Sequence, residues 1–218
     1  MPRLGADFLA LLDNPGPTSD LTLIAAGGRS FPVHRVILAA RCEFFKTMFV
    51  SDVGDAAFAR ELPLPDADPD ALALLLRYIY GGVLDECERD LLKPAVELAD
   101  FLRLVDACGE LQRRLLGTAT QDTIAEDMLW AEGHGDHITL LALVFKCVHD
   151  FAAKGADAIA DVLSERSPKL LARLYKQLAA KVAAQEAAKE SAKVASGTGG
   201  FVFGAAPAFA TTFGAPFG

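Results

Sequence analysis

Tryptophan occurs once in these 218 residues, methionine three times and cysteine four times, at Cys42, Cys87, Cys108 and Cys147. The cysteines are widely scattered, form no C-x-x-C pair and stand in apolar or helical contexts. Reduced thiols in a cytosolic or nuclear protein are the expected state. Positive charge is also short. Lys and Arg number 21 against 29 Asp and Glu, for a net charge of -8 and a pI near 5.0. That argues against a nucleic-acid groove, which needs a basic field over the phosphates, and against docking on anionic lipid. No apolar run reaches membrane-spanning length. The stretch Leu4 to Leu12 is broken by Asp7 and stopped by Pro15, too short and interrupted for an export signal. Motifs of catalysis are missing as well. There is no G-x-S-x-G. Gly27-Gly28 lacks a phosphate-loop context, and the acids are too scattered for a paired-carboxylate site.

What the chain does have is apolar residues, 52% of the total, enough for a sizeable core. Their densest run is Phe31 to Phe49. A short extended piece ends at Val33, and a helical pair follows with Val36, Ile37 and Ala40 on its first piece. Phe44, Phe45, Met48 and Phe49 on the second recur at a spacing that lines one helical face. So many large side chains in so few residues belong in a core, because a surface carrying them would aggregate.

The same residues carry a family pattern: Asp20, then Phe31-x-x-His34-Arg35-x-x-Leu38-Ala39-Ala40-Arg41, then Phe44-Phe45-x-x-Met48-Phe49. In that order they resemble the BTB/POZ domain, with Cys42 where the family usually has Ser. The resemblance runs from about Leu4 to about Gly117 and implies an α+β fold, a small sheet with a cluster of helices.

Around this run the chain reads as follows. Leu4, Phe8, Leu11 and Leu12 form one stripe of a short helix, stopped by Asn14-Pro15-Gly16-Pro17. In BTB proteins the corresponding helix lies in the dimer interface, which makes Leu4, Phe8 and Leu11 the dimer candidates. Asp20 to Ile24 and Arg29 to Val33 are expected strands around a Gly27-Gly28 hairpin turn. Ser51 to Arg60 reads as a surface loop, and Glu61 to Pro65 as an edge strand. Asp68-Pro69 starts a helix with Leu72, Leu75, Leu76 and Ile79 inward, and Gly81-Gly82 ends it. Tyr80 matches the Tyr of the family's Tyr-x-Gly. Leu91, Ala95, Leu98 and Leu102 mark the next helix, and Cys108, Leu111 and Leu115 a further one.

Past Gly117 the pattern is helical throughout. Ile124 and Met128 mark one helix. Ile138, Leu141, Phe145, Val148 and Ala152 mark another, and Ile159, Val162 and Leu163 a shorter one. The last helix begins at Ser167-Pro168, with Leu170, Leu171, Leu174, Tyr175 and Leu178 inward. Paired helices after a BTB domain resemble the shortened BACK region of cullin adaptors. The expected organisation is a BTB/POZ domain over 1–117, a helical BACK-like region over 118–180, an Ala/Lys/Glu helical spacer over 181–195 and a disordered Gly/Ala/Phe-rich tail over 196–218.

Four groups are candidate sites. Val53-Gly54-Asp55, just after Phe49, resembles the apolar-x-acid triplet of cullin-binding BTB domains, although the family usually ends it in Glu. The resemblance makes Phe49, Val53 and Asp55 the cullin-binding residues; an ordinary polar loop is the alternative. Asp20 and Arg35 lie near the dimer base in the family and form a charged pocket that transcription-factor BTB domains use for corepressors. A catalytic role for His34 oriented by Asp20 lacks any nucleophile motif, so His34 reads as framework. His134, His137, Cys147 and His149 have the residue types of a zinc site, but their spacing spreads them over a turn and two helix faces. No metal or other cofactor is expected. Lastly, Phe203-Gly204, Phe213-Gly214 and Phe217-Gly218 resemble the FG repeats of nuclear-pore proteins in an uncharged background.

Taken together, the resemblance implies a non-enzymatic protein-interaction module, similar to speckle-type cullin-3 adaptors but without a MATH or Kelch domain in these residues. It implies BTB homodimers or heterodimers, cullin-3 as a partner and an unidentified protein substrate for ubiquitination, in cytoplasm or nucleus. The rival reading is a dimeric scaffold or transcriptional co-regulator that holds a corepressor-type partner.

Overall fold

The computed structural model describes residues 2–50, 59–151 and 156–197. Helix α1 (Pro2–Asp13) comes first. Strands β1 (Leu21–Ile24) and β2 (Ser30–Val33) follow. Between them Ala26–Gly28 form a short 3-10 turn, with Gly27 at φ +69° and Gly28 at φ +80°. The expected hairpin is there, but two left-handed glycines at its end let the chain make a wider turn. Helices α2 (Arg35–Arg41) and α3 (Glu43–Val50) form the Phe-rich pair. Strand β3 (Glu61–Pro63) returns to the sheet, whose order is β2-β1-β3. β1 runs antiparallel to β2, with Leu21 opposite Val33, and parallel to β3, with Leu23 opposite Leu62. Pro63 sits on the sheet edge, where its missing N–H costs no ladder bond.

Helices α4 (Pro69–Gly81), α5 (Arg89–Phe101) and α6 (Val105–Thr118) complete the first core. The ends of α4 are those its sequence dictates. The Asp68 carboxylate accepts from the N–H groups of Asp70 and Ala71 at 3.0 and 2.9 Å. Pro69 takes the first turn, and Gly82 closes the helix at φ +78°. Leu23, Val33, Leu38, Phe45, Leu72, Leu75, Ile79, Leu92, Leu111 and Leu115 are buried together. Val36, expected inward, instead faces solvent, because Ile37 and Leu38 take the inner face of the short α2.

Helix α1 packs across α4. A methyl group on Gly5 would meet the Gly81 carbonyl oxygen at 2.8 Å, so glycine is what lets the two backbones approach. The predicted stripe divides as a result. Phe8, Leu9 and Leu12 pack against the core, whereas Leu4 and Leu11 point outward.

Helices α7 (Ile124–Gly133), α8 (His137–Lys146), α9 (Ala156–Arg166) and α10 (Pro168–Gly197) build a second core. It holds Ile124, Met128, Leu140, Leu143, Val144, Cys147, Ile159, Leu163 and Leu170. Of the residues expected inward here, Val148 is buried, whereas Leu141 and Phe145 are exposed. α8 is apolar on nearly every side (HITLLALVFK), so its partners rather than its own pattern choose the inward face. Tyr175 likewise faces solvent. α10 runs unbroken through the Ala/Lys/Glu stretch, as its helix propensity requires. No helix among the described residues is long and apolar enough to cross a membrane. The tail positions from 198 onward and Ala152 lie outside the described residues.

Candidate interaction surface

The Phe-rich helix α3 keeps Phe45 fully buried and turns Phe44 and Phe49 partly outward. The Phe44 ring packs on Phe45 at 5.3 Å and on Phe101 of α5 at 4.9 Å between centroids. Phe101 is 54% exposed, and Val50 at the end of α3 and Val105 at the start of α6 are more so. The start of α3 and the end of α5 therefore meet in a partly exposed aromatic pair, and Val50 and Val105 are exposed at two further helix ends.

Val53 and Asp55 lie outside the described residues, in the segment 51–58 that joins α3 to β3. Its two ends are held by one side chain. The Arg35 guanidinium sits over the Phe49 ring at 4.8 Å and donates from Nη2 to the Ala59 carbonyl oxygen. Asp20 engages the Arg35 main chain, accepting from its N–H at 2.8 Å and so satisfying a donor in the first turn of α2. The two residues are thus adjacent, and both make bonds within the fold.

His34 is framework. It is buried, and its N–H donates to the Tyr80 hydroxyl oxygen at 2.8 Å. That hydroxyl lies 3.0 Å from His34 Nδ1, and Nε2 lies 3.0 Å from Thr18 Oγ1, which donates to the Pro15 carbonyl at 2.9 Å. One assignment serves every group: the phenol donates to Nδ1, and Nε2–H donates to Thr18. Both ring nitrogens are then occupied, and Asp20 orients Arg35 rather than the imidazole. Burial pushes the Tyr80 phenol up to about 12.

At the thiols burial outweighs any activating neighbour, including Arg114 beside Cys87. Burial raises Cys42 and Cys87, and it pushes Cys108 and Cys147 up to about 11. His134 donates from Nδ1 to the Trp130 carbonyl at 3.0 Å and places Nε2 2.9 Å from Glu97. Cys147 is packed in the second core, and the His137 side chain lies outside the described residues. No group of three or more potential metal ligands forms among the described residues.

A polar seam that sequence reasoning missed joins the two cores. Arg89, Lys93 and Glu97 recur every fourth residue along one face of α5. They meet Thr123, Asp127, Trp130 and His134 on α7. Asp127 is 1% exposed and takes both cations, Arg89 at 2.5 Å and Lys93 at 2.9 Å. Arg89 also donates to Thr123 at 3.0 Å, and Trp130 Nε1 donates to Glu97 at 2.5 Å. Gln112 of α6 donates to Asp136, beyond the end of α7, at 2.8 Å. Trp130 packs against both cores. The regular spacing on α5 was a visible signal, but its complement lies more than thirty residues downstream.

Comparison with known proteins fits this architecture. The model of the BTB/POZ domain matches residues 9–115. Kelch-like protein 21 of Homo sapiens is 38% identical over 103 residues, which cover 46% of this chain and 17% of that protein. BTB/POZ domain-containing protein 9 of Rattus norvegicus is 40% identical over 93 residues, 41% of this chain and 14% of that protein. The matched region thus spans less than a fifth of the length of either relative.

Proposed function

This chain is a BTB/POZ domain protein, and from that premise we propose that it acts as a dimeric substrate-adaptor subunit of a cullin-3 RING ubiquitin ligase. The observation that carries the proposal is the partly exposed aromatic pair of Phe44, at the start of α3, and Phe101, at the end of α5. Phe101 lies half in solvent against Phe44, and Val50 is exposed where the chain enters the segment that bears Val53 and Asp55. Exposed aromatics clustered in one place are what a protein partner buries. Arg35, by gripping Phe49 and Ala59, fixes where the segment leaves and rejoins the fold. In this reading Phe49 and Val53 supply apolar contact area and the Asp55 carboxylate an orienting charge.

Binding of the cullin-3 N-terminal domain tests this reading. Phe101→Ser is expected to weaken it at least tenfold, as loss of a central aromatic anchor does. Unchanged affinity in that variant would remove the patch from the interface.

Dimerisation uses the outward face of α1. Leu4 and Leu11 are seven residues apart, two turns, and both are exposed, whereas Phe8, Leu9 and Leu12 pack on the core. Two cullin sites per dimer would then raise avidity for a multivalent substrate. Leu4→Glu with Leu11→Glu should shift the sedimenting species from dimer to monomer mass without changing the far-ultraviolet circular dichroism. A dimer that persists would place the interface elsewhere.

The proposed role is non-enzymatic, in keeping with the occupied imidazole of His34 and the raised thiols. The corepressor reading draws less support, since Asp20 and Arg35 already bond within the fold. An adaptor of this kind works in cytoplasm or nucleus, where its thiols stay reduced.

A further inference from the structure

The second core bears an apolar, partly open pocket of about 160 Å³ between the turn after α8, helix α9 and the start of α10. Its walls include Cys147, Val148, Ile159, Leu171, Leu174 and Leu178, and among the described residues of the lining Asp157 is the single charged one. A cavity of roughly 150 Å³ walled by aliphatic side chains takes up benzene. This one therefore has room for a phenyl ring. The fold's own nearby aromatic, Tyr175, lines it but keeps 56% of its surface in solvent.

The sequence holds a matching group. Residues 198–218 contain no charged side chain and five phenylalanines, Phe201, Phe203, Phe209, Phe213 and Phe217. They follow directly on α10, whose first turns wall the cavity.

We propose that the 198–218 segment returns along α10 and seats the ring of Phe213 or Phe217 in this cavity. Reach selects those two. Gly197 lies 23 residues past Leu174, roughly 35 Å up the helix at about 1.5 Å per residue. At full extension, about 3.5 Å per residue, Phe203 comes back only about 20 Å and falls short, whereas Phe213 covers about 55 Å and Phe217 about 70 Å. Phe209 arrives only when nearly fully stretched. Tethering helps: a covalently linked ring sits at an effective concentration on the order of millimolar, so a modest affinity suffices. The segment's side chains also bring no charge to desolvate as the ring enters. Insertion fills an apolar void that otherwise lacks contacts on one side, and it withdraws one or two Phe-Gly pairs from any other partner. The inference stands independently of the cullin reading.

The test is methyl NMR on the full chain, following Ile159, Leu171 and Leu174. Phe213→Ser with Phe217→Ser should abolish the ring-current shift of these methyl signals. Phe201→Ser with Phe203→Ser should leave them in place. Methyl signals of Leu72 and Leu75 in the first core report that each variant is folded. The proposal is overturned if the first pair moves nothing, or if both pairs move the cavity methyls equally. It is also overturned if the shift fades on dilution, because the ring would then come from a second copy.

Discussion

Asp127→Ala is expected to lower stability by about 3 kcal/mol, the low end of what breaking a buried ion pair costs. The carboxylate is 1% exposed and is shared by Arg89 and Lys93, so its removal strands two cations at the joint between the cores. Those cations are 26% and 30% exposed, and partial hydration keeps the cost from the upper end of the range. A surface pair provides the contrast. Arg29 and Asp70 are bonded at 2.6 Å but both lie more than half in solvent, and Asp70→Ala should cost below about 1 kcal/mol. Trp130 is the chain's single tryptophan and bonds Glu97 within the same seam. Its fluorescence during urea unfolding reads the joint directly. Should Asp127→Ala unfold at the same urea concentration as Asp70→Ala, the seam does not hold the extension to the first core.

Tyr80→Phe has the next largest expected effect, about 1–3 kcal/mol. The substitution keeps the ring, so packing changes little. It removes the one acceptor of the His34 N–H and the donor to His34 Nδ1, both buried. The polar groups left behind have no water to turn to, and that is the source of the cost. A pH signature separates this from a packing defect. The folded phenol is pushed up from 10.0 to about 12 by burial, so the folded state holds its proton more tightly than the unfolded chain. Its contribution is complete below pH 10 and is lost as pH rises toward 12. Wild type should lose stability across that window and Tyr80→Phe should lack that component, measured as urea midpoints from pH 9 upward. Equal pH dependence in both would mean the hydroxyl is not held as described.

What the sequence disclosed, and what it hid, follows from the range of the interactions. Helix α4 was legible end to end, because Asp68, Pro69 and Gly82 act within a few residues of themselves. The sheet was legible as strands, but the parallel pairing of β1 with β3 was not, since the two are separated by α2, α3 and the segment between. His34 and Tyr80 each stood out, yet their bond spans 46 positions and no local pattern encodes it. Asp127 read as an unremarked acid between apolar neighbours; only the fold brings Arg89 and Lys93 to it. In α8 the period was right and the phase wrong, because a helix apolar all round has no face of its own to declare. For the candidate site, Phe49 lies near the end of α3, and Arg35 reaches both Phe49 and Ala59 through its side chain, a contact the motif does not announce. Phe101 escaped notice because a single phenylalanine at a helix end gains meaning only from the Phe44 ring beside it.

Calorimetry of the purified chain with the N-terminal domain of cullin-3, run beside the Val53→Ala, Asp55→Ala double variant, tests the central claim most directly. The account predicts saturable binding by the wild-type chain, with one cullin per BTB domain, and its loss in the double variant. Absence of binding by the wild-type chain, at concentrations where it is dimeric, would contradict the adaptor role and leave the scaffold reading in its place.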